Sequence, residues 1–349
     1  MSNYNKIATL KTGSYNPVKM ITALRDGRLV STSYQELKIW RKVDCQWVCE
    51  QTIEDDSGWI HEVIELSDGR IFSGGYKTIK IWKFEEAALI CEHTLVGHTD
   101  YVMSIIQLRD GRLVSGSCDN TIKIWKKVNR KWVCEQTIEA RVSSIIELRD
   151  GRIVSGGYDG MIKIWNKVDG KFEYEGLLDP KNYKVLTLLE LSDERLVSGS
   201  CTNLDIWKRD GFEWICEHKL IGHTDCLYSI IELKDGRIVS ASDDKTLKIW
   251  KFEEGNWLCE QTLLNDGYVF TAIAIKDGQF LICGSGSSIN IWEIEKPIAL
   301  FNSVEKISIG LGLMSEIKDD TITISRNNKT IATISMKLDV VIEGNKQDE

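Results

Sequence analysis

Short apolar runs alternate with polar turns along almost the whole chain. The segment SIIQLRDGRLVSGSCDNTIKIW shows the pattern, with three apolar runs separated first by an Asp-Gly turn and then by a polar turn. Runs of this length between turn residues predict three short β-strands joined by hairpins. The residues that follow, such as WVCEQT after Trp125, alternate in polarity and predict a fourth strand with one face more exposed.

The pattern recurs as an internal repeat. An Ile-Trp dipeptide ends at Trp40, Trp82, Trp125, Trp165, Trp207, Trp250 and Trp292, at intervals of 42, 43, 40, 42, 43 and 42 residues. A helical solenoid would need a 3.6-residue periodicity, which is absent. Four strands per repeat of this length predict an all-β, closed β-propeller built from four-stranded blades.

A weaker copy of the repeat follows Trp292. The segment EIKDDTITISRNNKTIATI aligns with ELKDGRIVSASDDKTLKIW and places Ile334 at the tryptophan position, again 42 residues on. This favours eight blades, the last one degenerate, with seven blades and a C-terminal β-extension as the alternative. Residues 6–11 are expected to close the ring by pairing with the C-terminal blade, although residues 338–343 compete for that place. The chain is predicted to be a single domain over residues 1–343 with a disordered tail at 344–349.

Two repeats carry a fuller set of polar residues, and on these the chain resembles the WD-repeat family. Gly-His precedes the first strand, a serine lies in the second strand, and an aspartate lies in the next turn. The resemblance implies two buried hydrogen-bonded tetrads, which satisfy the polar groups of the histidine and the indole. The members are His98, Ser115, Asp119 and Trp125 in the third repeat, and His223, Ser240, Asp244 and Trp250 in the sixth.

The chain also departs from the family pattern. The aspartate that commonly follows the tryptophan is replaced by Arg, Lys, Asn or Glu in every repeat, and only two repeats keep Gly-His. The Trp-Asp-x-Arg signature that the family associates with substrate receptors of ubiquitin ligases is therefore missing. The resemblance supports the architecture, and it does not support functions that depend on that signature.

Charge and cysteine content narrow the function classes. A net charge of -8 and a pI near 5.4 oppose general binding to nucleic acids or anionic membranes, and no apolar run is long enough to span a bilayer. We therefore expect a cytoplasmic protein.

Five of the ten cysteines share one repeat position and lie about a blade apart, so we expect free, mostly buried thiols. Those five are Cys49, Cys91, Cys134, Cys216 and Cys259.

The sequence offers no catalytic motif. It has no Gly-x-Ser-x-Gly elbow, no phosphate-binding glycine loop and no His-Glu-x-x-His helix, and no cysteine and histidine cluster has the spacing of a metal site. Most aspartates lie in Asp-Gly hairpins, where turn geometry accounts for them. We predict a protein without enzymatic activity, cofactor or metal.

The positions that vary most between repeats predict a binding surface. In WD-repeat proteins a common partner site is the top face, where the first strand of each blade begins and the second turns into the third. Because core positions must stay alike from blade to blade, variable aromatic and basic residues at this face favour recognition of a partner. The predicted contact residues are Trp59, His61, Tyr76, Tyr101, Met103, Arg141, Tyr158, Lys184, Tyr228, Tyr268 and Phe270.

The implied ligand is a peptide or protein segment with acidic and apolar residues, bound by a non-catalytic scaffold or adaptor. The alternatives are a structural subunit of a large assembly and, less favoured, an enzyme built on a propeller. Apolar patches on several blade sides would favour the assembly subunit.

Overall fold

The computed structural model describes residues 3–44, 46–181, 184–211 and 213–294 in full, and the backbone of four further strands between residues 306 and 335. The chain divides into two compact units. One, the main unit, is Asn3–Ile294; the other comprises Met1–Ser2 and Glu295–Glu349. The boundary falls inside the single domain predicted for residues 1–343. The predicted tail at 344–349, like residues 338–343, lies outside the described residues.

The regular structure described in the main unit is made of antiparallel strands, which confirms the all-β, four-stranded pattern. The first repeat forms Met20–Ala23, Leu29–Thr32, Glu36–Val43 and Gln46–Glu54 (β2 to β5), and the second forms Glu62–Glu65, Ile71–Gly74 and Tyr76–Glu85 (β6 to β8). The third forms Ala88–Gln107, Leu113–Ser117, Thr121–Val128 and Lys131–Glu139 (β9 to β12). The fourth forms Ser144–Glu147, Ile153–Gly156, Ile162–Val168 and Lys171–Leu178 (β13 to β16). The next two give Thr187–Glu190, Leu196–Gly199, Asn203–Asp210 and Glu213–Ile221 (β17 to β20), and Leu227–Glu232, Ile238–Ser242, Thr246–Glu253 and Asn256–Leu264 (β21 to β24).

One strand serves two repeats. The first part of β9 pairs with β8 from Ala88 to Val96, and its last part pairs with β10 from Val102 to Gln107. The second and third repeats therefore share one seven-stranded sheet, with β9 as the outer strand of one and the inner strand of the other.

The seventh repeat is completed by the start of the chain. Ala272–Ile275, Phe280–Ser285 and Ser288–Ile294 (β25 to β27) pair in order, and Tyr4–Lys11 (β1) adds to the outer edge of β27. The expectation that residues 6–11 pair with the C-terminal repeat is therefore wrong. The outer edge of the seventh repeat is occupied by β1, with Tyr4 opposite Ile294 and Lys11 opposite Ser288.

The inner strands follow one another around the main unit. Contacts run from β2 to β6, β9, β13, β17, β21 and β25, and β25 in turn contacts β2. Each apolar core lies between neighbouring sheets; in one of them, Val114 and Ile124 pack with Val142 and the Trp165 ring of the next repeat. Gly116 lies at this approach, where an added Cβ would come within 2.3 Å of a Val142 methyl carbon. The close packing explains why glycine follows serine in the second strand of most repeats.

The C-terminal unit contains a four-stranded antiparallel sheet of its own. Its strands are Lys306–Ile309, Leu313–Lys318, Thr321–Arg326 and Lys329–Ser335 (β28 to β31), paired in chain order. The last three match the strands predicted by the repeat alignment, and Ile334 lies in the third of them, opposite Ile322. The remaining strand, β28, precedes these three in the chain, whereas in the first six repeats the outer strand follows the other three.

The repeated cysteines are free thiols, as expected, but they are exposed and not buried. Each lies in an outer strand beside the bulge where the third strand's tryptophan is paired, as Cys134 is opposite Trp125. The outer strands have one face towards solvent, which places these thiols outside the core.

Candidate protein-binding face

Both predicted tetrads are hydrogen-bonded sets in the structure. His98 Nδ1 lies 2.8 Å from Asp119 Oδ2, His98 Nε2 lies 2.8 Å from Ser115 Oγ, and the Trp125 indole N–H donates to the same oxygen at 2.8 Å. The corresponding distances for His223, Asp244, Ser240 and Trp250 are 2.7, 2.7 and 2.8 Å. Burial lowers the pKa of both histidines, which favours the neutral imidazole in each set.

We expect His98→Ala and His223→Ala each to lower the free energy of unfolding by about 1–3 kcal/mol, because the aspartate and serine would lose a buried partner. Denaturant titration of the full chain measures the effect. His93→Ala is the matched control, because His93 lies exposed on the outer part of β9. A tetrad variant as stable as this control would show that the hydrogen-bonded set contributes nothing.

The structure brings most of the predicted aromatic residues into contact on the top face. Tyr76 and Tyr101 have ring centroids 5.0 Å apart, and the His61 ring meets Tyr101 edge-on at 5.4 Å. On the sixth and seventh repeats, Tyr228 meets Phe270 at 5.0 Å and Tyr268 lies 6.3 Å from Phe270.

Three of these tyrosines are open to solvent, namely Tyr76, Tyr158 and Tyr268, with exposed fractions of 43%, 41% and 52%. Tyr158 has no ring contact with another described aromatic residue, but it lines the same cavity as Tyr228. These side chains form part of the accessible surface and are not core packing.

A lysine lies between Phe270 and Trp59. The Lys19 ammonium lies 3.3 Å from the centroid of the Phe270 ring and 5.2 Å from that of Trp59. Trp59 is half-buried and also meets Tyr34 edge-on at 5.1 Å. Burial lowers the pKa of Lys19, and the nearby Asp243 acts in the opposite direction. Both distances are within the range of a cation–π interaction.

Arg141 and Lys184 supply the basic sector. Arg141 is exposed and Lys184 half-buried, and neither forms an ion pair with a residue that the structure describes. These two positive charges therefore lie beside the aromatic residues of the face.

A channel between the inner strands opens beneath these residues. Its cavity measures about 550 Å³, and His61, Met103, Tyr158, Tyr228 and Phe270 line it. The other predicted residues, Trp59, Tyr76, Tyr101, Arg141, Lys184 and Tyr268, do not line it. One level deeper the inner strands present small hydroxyl side chains, at Ser104, Ser144, Thr187, Ser229 and Thr271.

Glu62 is at the same level as these hydroxyls and was not among the predicted residues. Burial raises the pKa of its carboxyl group to about 8, although the N–H of Val63 favours the ionised form. Burial lowers the pKa of the neighbouring His61 to about 4, assisted by the charge of Lys19. At neutral pH the channel therefore holds a largely protonated glutamic acid beside a neutral histidine.

We expect Glu62→Gln to raise stability at pH 8 and to flatten its pH dependence. The folded pKa of Glu62 lies above the usual value near 4.5, so the native state binds the proton more tightly and stability is lost as pH rises from about 4.5 to about 8. The gain at pH 8 should be on the order of 1–3 kcal/mol, allowing for contact with channel water. Unfolding free energies of both proteins at pH 5 and pH 8 measure this; an identical loss in the variant would exclude Glu62 as its source.

Two further features of this face were not among the predicted contact residues. Burial and the nearby charge of Asp225 raise the pKa of the Asp243 carboxyl group, and its Oδ1 is buried without a hydrogen-bond partner among the described residues. Val96, Ile221 and Leu264 end outer strands at the top edge and are largely exposed. An apolar residue directly before Gly-His, as in VGH and IGH, was the available signal for Val96 and Ile221.

In the described part of the chain no three histidine, cysteine or acidic side chains are placed to hold a metal ion. The described residues also contain no helix long and apolar enough to cross a lipid bilayer.

The comparisons with known proteins define the class. The family model described as "WD domain, G-beta repeat" matches residues 89–126, 132–166 and 214–251, and the first and last of these contain the tetrad residues Trp125 and Trp250. The chain thus contains three WD40 repeats and has the fold of a WD40 β-propeller. Propellers of this kind generally mediate protein–protein interactions and are typically non-catalytic.

A solved relative gives the same result. The crystal structure of the WD40 β-propeller domain of Doa1 matches with a TM-score of 0.71 and 24% sequence identity, and the match covers 84% of this chain and 98% of that one. At this identity the likeness shows the fold alone. As 1287 chains of solved structures match, the fold does not by itself select a function. No curated protein matches the sequence.

Proposed function

We propose that this protein is a non-catalytic scaffold or adaptor that binds a protein or peptide partner on its top face. The observation that carries the proposal is the group of exposed aromatic residues around the channel mouth, bordered by Arg141 and Lys184, which form no ion pair with a described residue. Exposed clusters of Trp and Tyr are enriched at interfaces because they bury large, rigid surfaces. The ligand is a segment with acidic and apolar residues, and nucleic acid is not expected. The cytoplasmic location stays a prediction of the sequence.

We also propose that the ring has seven blades, the alternative count from the sequence. The circle of inner-strand contacts within Asn3–Ile294 supports this count, because β25 contacts β2 directly and β1 completes the seventh sheet. The binding face is then built entirely from the main unit.

A second candidate is a structural subunit of a large assembly. Val48, Val133, Ile215 and Leu258 occupy one position of the outer strands in four sheets, and all are exposed. Apolar residues on several blade sides are the feature that the sequence analysis associated with this role.

Affinity capture with the intact chain tests the first proposal. The protein should retain a partner that a variant combining Trp59→Ala with Arg141→Glu does not retain. Equal retention by the variant would favour the outer strands or the opposite face, and thereby the assembly subunit.

A further inference from the structure

Two cysteines from neighbouring repeats meet at the top face. Cys201 lies in the turn between β18 and β19 of the fifth sheet, and Cys226 directly precedes the inner strand β21 of the sixth. Their Sγ atoms are 3.1 Å apart, and both side chains are partly exposed.

Backbone hydrogen bonds hold the two segments together. The N–H of Leu227, next to Cys226, donates to the carbonyl oxygen of Ser200, next to Cys201, at 2.9 Å. The same link recurs elsewhere in the main unit, from Val102 to Gly75 and from Val185 to Gly157, each at 2.9 Å. The proximity of the sulfur atoms is thus fixed by a repeated feature of the fold.

We propose that Cys201 and Cys226 form a reversible disulfide when the protein meets a peroxide, giving a covalent link between the fifth and sixth sheets. A disulfide needs sulfur atoms about 2.05 Å apart, so side-chain rotation over about 1 Å completes the approach.

The reaction balances with hydrogen peroxide as the oxidant. The Cys201 thiol first loses its proton to solvent, and the thiolate attacks the peroxide. The O–O bond breaks, Cys201 becomes a sulfenic acid, and the leaving hydroxide takes a proton from solvent to give one water. The Cys226 sulfur then attacks the Cys201 sulfur, the S–O bond breaks, and a second water leaves with the remaining thiol proton. Two thiols lose two electrons in total, and the peroxide gains them.

The order of the steps follows from the environment of Cys226. Burial and the adjacent Cys201 raise the pKa of the Cys226 thiol to about 12, although Lys184 acts in the opposite direction. The raised pKa disfavours the Cys226 thiolate, so we assign the second step to this residue. We expect the reaction to accelerate with rising pH.

The chain provides an internal control. Cys118 has the same repeat position in the third sheet as Cys201 has in the fifth, and it is also partly exposed. The repeat position of Cys226 is filled by Arg141 in the fourth sheet, so Cys118 has no thiol partner there.

Peptide mass spectrometry of the full chain after peroxide treatment tests the proposal. We expect one linked species joining the peptides of Cys201 and Cys226, lighter by two hydrogens than the free peptides together and separated again by dithiothreitol. Cys118 should remain open to alkylation, and Cys226→Ser should abolish the linked species. Absence of that species in the wild-type protein, or alkylation of Cys201 and Cys226 as complete as that of Cys118, would overturn the proposal.

One consequence rests on the proposed function. Cys226 is near Lys184 and two residues from Tyr228, so the disulfide would fix the fifth and sixth repeats of the binding face and change the affinity for the partner. The disulfide and the binding function can be contradicted independently. The linked peptides are measured without a partner, and partner binding is measured in the reduced protein.

Discussion

Removal of residues 1–11 should abolish cooperative folding of the main unit. Strand β1 supplies the outer edge of the seventh sheet, and the Tyr4 ring, with an exposed fraction of 1%, packs against Leu233, Leu263 and Leu281. The Tyr4 hydroxyl donates to the carbonyl oxygen of Gly278. Loss of one such buried aromatic side chain costs about 3–5 kcal/mol, a large part of the stability of an ordinary domain.

The Gln261 amide shows that this strand is held as firmly as the internal ones. Its oxygen accepts from the Tyr4 N–H and its nitrogen donates to the Tyr4 carbonyl oxygen, both at 2.8 Å. Gln51 makes the same pair of bonds with Leu89. Tyr4→Ala is therefore a milder test of the same contact, with an expected loss in the range above.

Removal of residues 295–349 is the matched truncation. If the seven repeats of Asn3–Ile294 complete the ring, this shorter chain should be soluble and should unfold cooperatively, as followed by circular dichroism during heating. Loss of folding in this truncation, together with an unchanged melting temperature after removal of residues 1–11, would restore the eight-blade count.

Trp59→Ala and Arg141→Glu should each weaken partner binding by roughly thirtyfold or more in Kd, because truncation of an interface hot spot costs about 2 kcal/mol or more. Trp59 does not occupy one of the repeated third-strand or fourth-strand tryptophan positions, so the blade pattern does not require it. Far-ultraviolet circular dichroism and the melting temperature should stay close to those of the wild-type protein. Titration calorimetry with the captured partner measures the change.

Two variants elsewhere on the main unit serve as controls. Lys234→Glu reverses a charge at the opposite edge of the sheets, where Lys234 pairs with Asp277 at 2.6 Å. Tyr174→Ala removes an exposed aromatic side chain from the outer strand β16. Both should bind as the wild-type protein does. A large fall in melting temperature for Trp59→Ala would identify its ring as packing, since it already contacts Tyr34.

The internal repeat made most of the fold predictable from the sequence. Each strand of a blade is short and bounded by turn residues, and the interval between tryptophans is nearly constant, so strand number and order could be predicted. The strand pairing that closes the ring could not be predicted. It depends on the pairing of β1 with β27, residues almost 290 positions apart, and the amphipathic pattern of residues 6–11 fits any outer edge. The weak eighth repeat offers a second outer edge for residues 6–11, and the sequence alone does not show which edge they pair with.

The residues of the candidate binding face could also be predicted from the repeat, but the contacts between them could not. Subtracting the repeat consensus identifies positions such as Tyr228 and Phe270, which meet in the structure. It does not show how side chains from seven strands converge, so the half-buried Glu62 and the contact of Lys19 with two aromatic rings were missed. The exposure of the repeated cysteines was misjudged because burial was assigned by residue type and not by position in the outer strand.

Site-specific photo-crosslinking tests the central claim most directly. A photoreactive phenylalanine analogue is placed at Tyr268 on the top face, at Val133 on an outer strand, or at Lys234 on the opposite edge, all of which are exposed. The account predicts that the captured partner is crosslinked from position 268 and not from positions 133 or 234. Crosslinking from position 133 with none from position 268 would contradict binding at the top face and would support a subunit joined to its neighbours through the blade sides.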